Sequence, residues 1–173
     1  GIGWMRDEFE AVNVDFSTRA RRMEEMLELM RGFWRGEFME SDTELFRFRP
    51  NQVLPALDEP IPILIGGHST RALRRAARLA DGWVSAPCDF EEIARSIKQL
   101  TADRRAFGRE DRHFEIRMLL AERPNLATVE RLAELGVTSI VLSQYLISDQ
   151  PDSPEAVLDG ISSFGELISG WQD

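Results

Sequence analysis

Residues 66–69, Gly-Gly-His-Ser, follow the continuous apolar run Ile61–Ile65 and precede a segment with helical spacing. Glycine permits positive φ and lets backbone come close to a ligand. Free amides at a helix start attract phosphate and other anions. The chemistry this stretch suggests is anion binding by main-chain N–H groups of Gly66, Gly67, His68 and Ser69. The pattern is neither GxGxxG nor a P-loop, since no GK[ST] follows. A tight strand-to-helix turn capped by Ser69 is the alternative reading. His68 has three options open to it: solvent, an anion, or an acidic partner.

The other chemically capable residues are sparse. Cys88 follows Ser-Ala-Pro at the end of an expected strand, and no base is assigned near it, so an inert thiol is expected. His113 stands before another strand. Two histidines far apart give no metal pattern. Asp7, Glu8 and Glu10 read either as the acidic first turn of a short helix or, for Asp7, as a pocket residue. Arg71, Arg74, Arg75 and Arg78 fall on the outer side of the helix after Ser69, a solvated basic face with Arg71 near the loop.

A chain of 173 residues is expected to form one domain with a sizeable core. Its net charge of −9 argues against non-specific binding to nucleic acid or an anionic membrane. Lys98 is the single lysine among 21 basic residues, a compositional habit rather than a site. With Cys88 as the single cysteine there is no intrachain disulfide and no multi-cysteine metal site. No stretch reaches the roughly 18 apolar residues of a membrane span, and no signal-peptide pattern opens the sequence. A cytoplasmic location is the expectation.

Those residues must be positioned by alternating elements. Met23, Met26, Leu27, Met30, Phe33 and Trp34 predict a helix over 19–34, with Ser17 as its cap. Residues 36–60 are an irregular excursion with a hairpin piece near 44–49. Strands are expected near 61–66, 82–86, 114–121 and 137–142. Helices begin at Ser69, at Asp89 with Glu92 as a capping box, and at Asn125 or Thr128. Gly136 ends the third of these. Ser153 and Pro154 open the last helix, with Val157, Leu158, Ile161, Phe164 and Ile168 on one face. Strand–helix alternation implies a parallel sheet with right-handed crossovers. An open sheet and part of a (β/α)8 barrel both fit, but four strands cannot close such a barrel, which typically takes about 250 residues.

Two stretches carry a resemblance. GIGWMRDEFEAVNVDFSTRARRMEEMLELMRGFW and PIPILIGGHSTRALRRAARLADGWV resemble, in order and spacing, two segments of the luciferase-like monooxygenase family. The resemblance covers nearly the whole chain and about the second half of the family domain. It implies an α/β fold, the C-terminal half of a (β/α)8 TIM barrel, with residues 1–4 as a further strand and 36–60 as an insertion. It implies an oxidoreductase, either hydride transfer or monooxygenation of a small organic substrate, with the deazaflavin F420 as cofactor and FMN as the alternative. The implied cofactor-binding positions are Gly3, Trp4, Asp7, Gly66, Gly67, His68, Ser69, Gly82 and Trp83. Of these, Gly66–Ser69 would take the cofactor phosphate. Some F420-binding relatives carry Glu and Asn where this chain has Trp4 and Asp7, a departure that bears on substrate class. The implied partners are a small-molecule substrate and either a second copy or a segment supplying the first half of the barrel. A non-catalytic half-barrel and an unrelated phosphate-binding α/β domain are the rival readings.

Overall fold

The computed structural model describes residues 1–169, apart from the side chains of Leu167 and Ile168, so the expectation for Ile168 lies outside the described residues. The chain forms two compact units, divided after Pro62.

The first unit holds α1 (Arg6–Ala11), a 3-10 turn at Phe16–Thr18, α2 (Arg19–Trp34) and an antiparallel hairpin of β1 (Met39–Asp42) and β2 (Arg47–Asn51). α2 has the bounds its apolar spacing predicts, with Met23 and Leu27 buried. Its entry differs from expectation. Asp15, not Ser17, supplies the side-chain acceptor, taking the Ser17 amide at 2.8 Å and the Ser17 hydroxyl at 2.7 Å. Both bonds close the 3-10 turn that leads into α2. Phe16 stacks edge-on to Phe9 at 5.2 Å and lies under the Arg19 guanidinium at 3.7 Å. The strand expected at 1–4 is not formed. Gly3 has φ +78°, outside the extended region, and no neighbouring strand gives this segment a ladder.

In the second unit lies a parallel sheet of β3 (Leu64–Gly66), β4 (Gly82–Val84), β5 (Glu115–Leu119) and β6 (Ser139–Val141), paired in that order. Between and after the strands come α3 (Thr70–Leu79), α4 (Phe90–Ala106), α5 (Leu126–Glu134), α6 (Gln144–Ile147) and α7 (Pro154–Ser169). The strands are shorter than the apolar runs suggest. Pro60 and Pro62 lack the amides a ladder needs, and β3 starts only at Leu64. Asp81 extends the β3–β4 pairing by one step: its amide donates to Ile63 O at 2.8 Å and its carboxylate accepts the Ile63 amide at 3.0 Å.

The register aligns Ile65 with Trp83 and Ile116, and Met118 with Ile140. Side chains alternate along each strand, so one sheet face carries Ile65, Trp83, Ile116, Met118 and Ile140. Ile65, Trp83 and Met118 are buried, as are Leu73, Ala76 and Ala77 of α3, Ile93, Ile97 and Leu100 of α4, and Val129 and Leu132 of α5. The opposite face carries Leu64, Gly66, Gly82, Val84, Glu115, Arg117, Leu119, Ser139 and Val141, of which Gly82 alone is buried.

Helix starts follow side-chain chemistry. Ser69 accepts the Ala72 amide at 3.2 Å, Asp89 the Glu92 amide at 2.7 Å, Asn125 the Thr128 amide at 2.9 Å and Ser153 the Ala156 amide at 3.3 Å. Each cap satisfies one amide that a helix start leaves open. Gly136, at φ +91°, ends α5 by donating to Ala133 O at 2.8 Å.

Two arginines close the base of this layer. Arg104, 7% exposed, donates from Nη2 to Arg109 O and Arg112 O, each at 2.6 Å, and stacks over Phe114 at 4.2 Å. Arg109 in turn donates to Arg78 O at 2.9 Å and Ala80 O at 2.7 Å, carbonyls that end α3.

Leu73 is 4% exposed and faces the sheet from α3. Leu73→Ala is expected to cost about 2–5 kcal/mol, read as a lower denaturant midpoint at unchanged slope.

Candidate functional site

The turn after β3 joins a strand end to the start of α3. Gly66 and Gly67 are half-buried, and Gly67 has φ +111°, a conformation that side-chain-bearing residues rarely adopt. A Cβ on Gly67 would lie 2.9 Å from the Ala72 Cβ. Trp83 fixes the direction of this turn. Its indole Nε1–H donates to Gly67 O at 2.9 Å from a fully buried position on the helix-facing side of the sheet. In a trans peptide the carbonyl of one residue and the amide of the next point opposite ways. Holding Gly67 O toward Trp83 therefore turns the His68 amide away from it. The amides of Thr70 and Arg71 open α3, where a helix offers them no acceptor, and among the described residues none is recorded for the His68 amide, whereas Ala72 has Ser69. Such a cluster of unfilled donors on a half-exposed turn can hold an oxyanion.

Gly82 acts differently. A Cβ there would come within 2.6 Å of Glu115 O and 2.9 Å of the Leu64 side chain. The residue is glycine because three strands close on it, and it has no free surface to offer a ligand.

His68 bridges two loops. Its Nε2 accepts the Ala86 amide at 2.9 Å. Its Nδ1 lies 3.2 Å from Glu92 Oε1, close enough for charge attraction though not aligned as a hydrogen bond. The ring packs edge-on against Trp83 at 5.3 Å. Glu92, expected to complete a reciprocal capping box on α4, instead aims its carboxylate at His68 while its amide rests on Asp89. The Cys88 sulfur joins His68 and Glu92 in a cluster whose potential ligand atoms lie within 4.8 Å of one another.

Sequence reasoning thus collects Gly66, Gly67, His68, Ser69, Gly82 and Trp83 in one region. It missed Glu92 and Ala86 as partners of His68. The Glu at the third position of α4 was visible, but its apparent role as a cap masked its contact. Gly3, Trp4 and Asp7 lie in the first unit. Trp4 is 82% exposed and Asp7 sits in the acidic first turn of α1. The solvated face expected on α3 is present: Arg71, Arg74 and Arg78 are exposed and Arg75 is half-buried.

Beside this region, a cavity of about 450 Å³ opens between the loops that follow β4 and β5, lined by Cys88, Phe90, Ile93, Leu120, Arg123 and Leu132 among others. Arg131 lies over the Phe90 ring at 4.0 Å. No described helix is long and apolar enough to cross a membrane.

A sequence model of the luciferase-like monooxygenase family matches residues 1–135. The chain belongs to that family. An uncharacterized protein of Mycobacterium tuberculosis (strain ATCC 25618 / H37Rv) is 36% identical over 174 residues, covering 97% of this chain and 59% of that protein. The F420-dependent glucose-6-phosphate dehydrogenase of Mycobacterium avium (strain 104) is 26% identical over 153 residues, covering 85% of this chain and 45% of the enzyme. Among solved structures, the monooxygenase RslO1 from Streptomyces bottropensis superposes with a TM-score of 0.59 at 19% identity, over 99% of this chain and 48% of that one. The chain therefore spans about half the length of the relatives it matches. Its four-stranded parallel sheet with outer helices corresponds to part of the barrel of those structures. The resemblance carried by residues 1–34 and 60–84 thus points to the right family.

Burial, followed by the nearby Glu92 and Asp89 carboxylates, pushes the Cys88 thiol above its ordinary value of 9.0. The thiolate is the reactive form. Alkylation of Cys88 by iodoacetamide at neutral pH is therefore expected to be slower than that of free cysteine, with its rate still rising above pH 9. A rate equal to that of free cysteine at neutral pH would contradict the burial of this thiol.

Proposed function

We propose that the chain is the cofactor-phosphate-binding part of an oxidoreductase that uses F420, with FMN as the alternative, on a small organic substrate. The observation that carries the reading is the turn at Gly67–Arg71: several unfilled amides on one half-exposed loop, directed by a buried indole. A family assignment that includes an F420-dependent relative supports the choice of F420. The amides suit a phosphate because each donor is already oriented and needs no reorganisation on binding. Arg71, exposed in the first turn of α3, adds positive charge beside them.

When bound, a cofactor of this type supplies the hydride or oxygen chemistry itself. The chain's own task is narrower. The His68, Thr70 and Arg71 amides bind and orient the anionic end, on a turn whose shape Gly66 and Gly67 allow. Trp83 holds the turn. Ser69 completes the start of α3 without filling the donors that precede it. The half-exposed sheet face, with Leu64, Val84 and Leu119, provides an apolar wall interrupted by Arg117 and Glu115. Gly3, Trp4 and Asp7 are proposed as further cofactor-contacting residues, as the family resemblance implies. The rest of the barrel would come from further sequence or from a second copy.

The test is titration of the chain, alone and joined to whatever its gene encodes upstream, with F420, FMN and inorganic phosphate. F420 is expected to bind, phosphate to compete with it, and Gly67→Val to weaken binding at least about tenfold, the scale of one lost hydrogen bond or more. Circular dichroism of that variant separates a lost site from a lost fold. A longer protein that binds neither cofactor would end the proposal.

A further inference from the structure

We propose that His68 is a positioning residue: in a single tautomer, oriented by Glu92, it locks the loop after β4 to the phosphate-facing turn after β3. The inference rests on the proposed cofactor site for its functional consequence, and on hydrogen-bond geometry alone for its structural content.

The location of the imidazole proton follows from its neighbours. The Ala86 amide can only donate, and it points at Nε2 from 2.9 Å. Nε2 must therefore carry a lone pair, and the proton of the neutral ring belongs on Nδ1. Nδ1 is buried and lies 3.2 Å from Glu92 Oε1, so the N–H sits in the field of a carboxylate. Nε2 thus has the donor its lone pair requires, and Nδ1, without an aligned hydrogen bond, has the Glu92 carboxylate as its nearest charged neighbour. Glu92 belongs to α4 and Ala86 to the turn before it, so a single ring from the first loop holds both the start of α4 and the end of β4.

The same geometry rejects the metal reading of the His68, Cys88 and Glu92 cluster. A cation on Nδ1 would move the proton to Nε2, directly against the Ala86 N–H. A histidine that binds metal ordinarily donates its other N–H to an acceptor, and here that place is taken by a donor.

A general-base role for His68 is also set aside. The lone pair at Nε2 is already used by Ala86, and Nδ1 has its proton facing Glu92. What remains is alignment. Trp83 holds the carbonyl of Gly67, and His68, the next residue, holds the neighbouring loop. The two side chains also touch each other at 5.3 Å between ring centres. Together they fix both sides of the turn whose amides would meet a phosphate.

The experiment combines three variants with readouts that do not need a cofactor. In the wild-type chain the ¹⁵N spectrum of His68 is expected to show a protonated Nδ1 and an unprotonated Nε2. In His68→Ala the Ala86 amide is expected to exchange with solvent about tenfold faster, the scale of one lost hydrogen bond. His68→Gln, whose side-chain oxygen can accept from Ala86, should restore most of that protection. Glu92→Gln should leave Ala86 protected but shift the His68 Nδ1 resonance. F420 affinity should follow the same order, falling about tenfold in His68→Ala and recovering in His68→Gln. The proposal is overturned by an Nε2–H tautomer, by Ala86 exchange that ignores His68→Ala, or by a thiolate-to-cobalt charge-transfer band on adding Co²⁺. If the exchange and tautomer results hold while the wild-type protein binds neither F420 nor FMN, the clasp stands and the cofactor reading fails.

Discussion

The bond from the Trp83 indole to the Gly67 carbonyl joins two parts of the structure that otherwise have separate logic. Trp83 belongs to the dry layer between sheet and helices, where it is fully buried. Gly67 belongs to the loop. A buried indole N–H without an acceptor would carry a desolvation cost of about 1–3 kcal/mol, so the core itself demands an acceptor at this place. The acceptor is available only if the Gly67 peptide adopts one orientation, which φ +111° permits for glycine. Satisfying the core thus sets the loop. The His68 amide is turned away from Trp83 as a consequence of packing, before any ligand is present.

That coupling explains why some features were legible in the sequence and others were not. Helix α2 could be read at both ends because its apolar residues recur at helical spacing over four turns. The caps at Ser69, Asp89, Asn125 and Ser153 could be read because each rests on a side chain and an amide three residues on. Strand ends could not be read from hydrophobicity. Residues 61–63 are as apolar as 64–66, but Pro60 and Pro62 remove ladder donors, and only Asp81 reaches back to Ile63. The strand expected at 1–4 failed for a different reason: apolar or not, an extended segment needs a neighbour. The glycines at 66, 67 and 82 look alike in sequence and do different work. Gly67 supplies an unusual backbone conformation, while Gly82 makes room for the backbone of β5.

The arginines show the limit of sequence reading most plainly. A composition of many arginines and a single lysine reads as habit, and for Arg71 and Arg74 exposure agrees. Arg104 and Arg109 are different. A planar fork with several N–H donors can satisfy two backbone carbonyls at once, and each of these residues does so. Burial, then the neighbouring Arg109, lowers the Arg104 guanidinium below its ordinary value, with Glu110 opposing. It nonetheless remains a cation, because an arginine does not lose its proton in a protein. Nothing in the local pattern RRAFGRED marks the first residues as exposed or buried. The distinction is made by Phe114 and by the chain turn at 107–112, both of which are tertiary facts.

The second face of the sheet obeys a stricter condition than its apolar residues suggest. Leu64, Val84, Leu119 and Val141 would accept any apolar cover. Arg117 would not. It donates to Glu115 Oε1 from Nε at 3.0 Å and from Nη2 at 2.5 Å, and Ser139 adds a bond to the same oxygen at 3.1 Å. That arrangement, led by the Arg117 bond, lowers the Glu115 carboxyl below its ordinary value and keeps it charged. The guanidinium has donors to spare. A layer that buried this face without offering Arg117 an acceptor would leave a charged group partly unpaired in a low-dielectric environment. That cost is heavier than the burial of the surrounding apolar side chains could readily offset. Whatever covers the sheet must therefore be polar at this one point and apolar around it, which is a requirement on its sequence as well as on its shape.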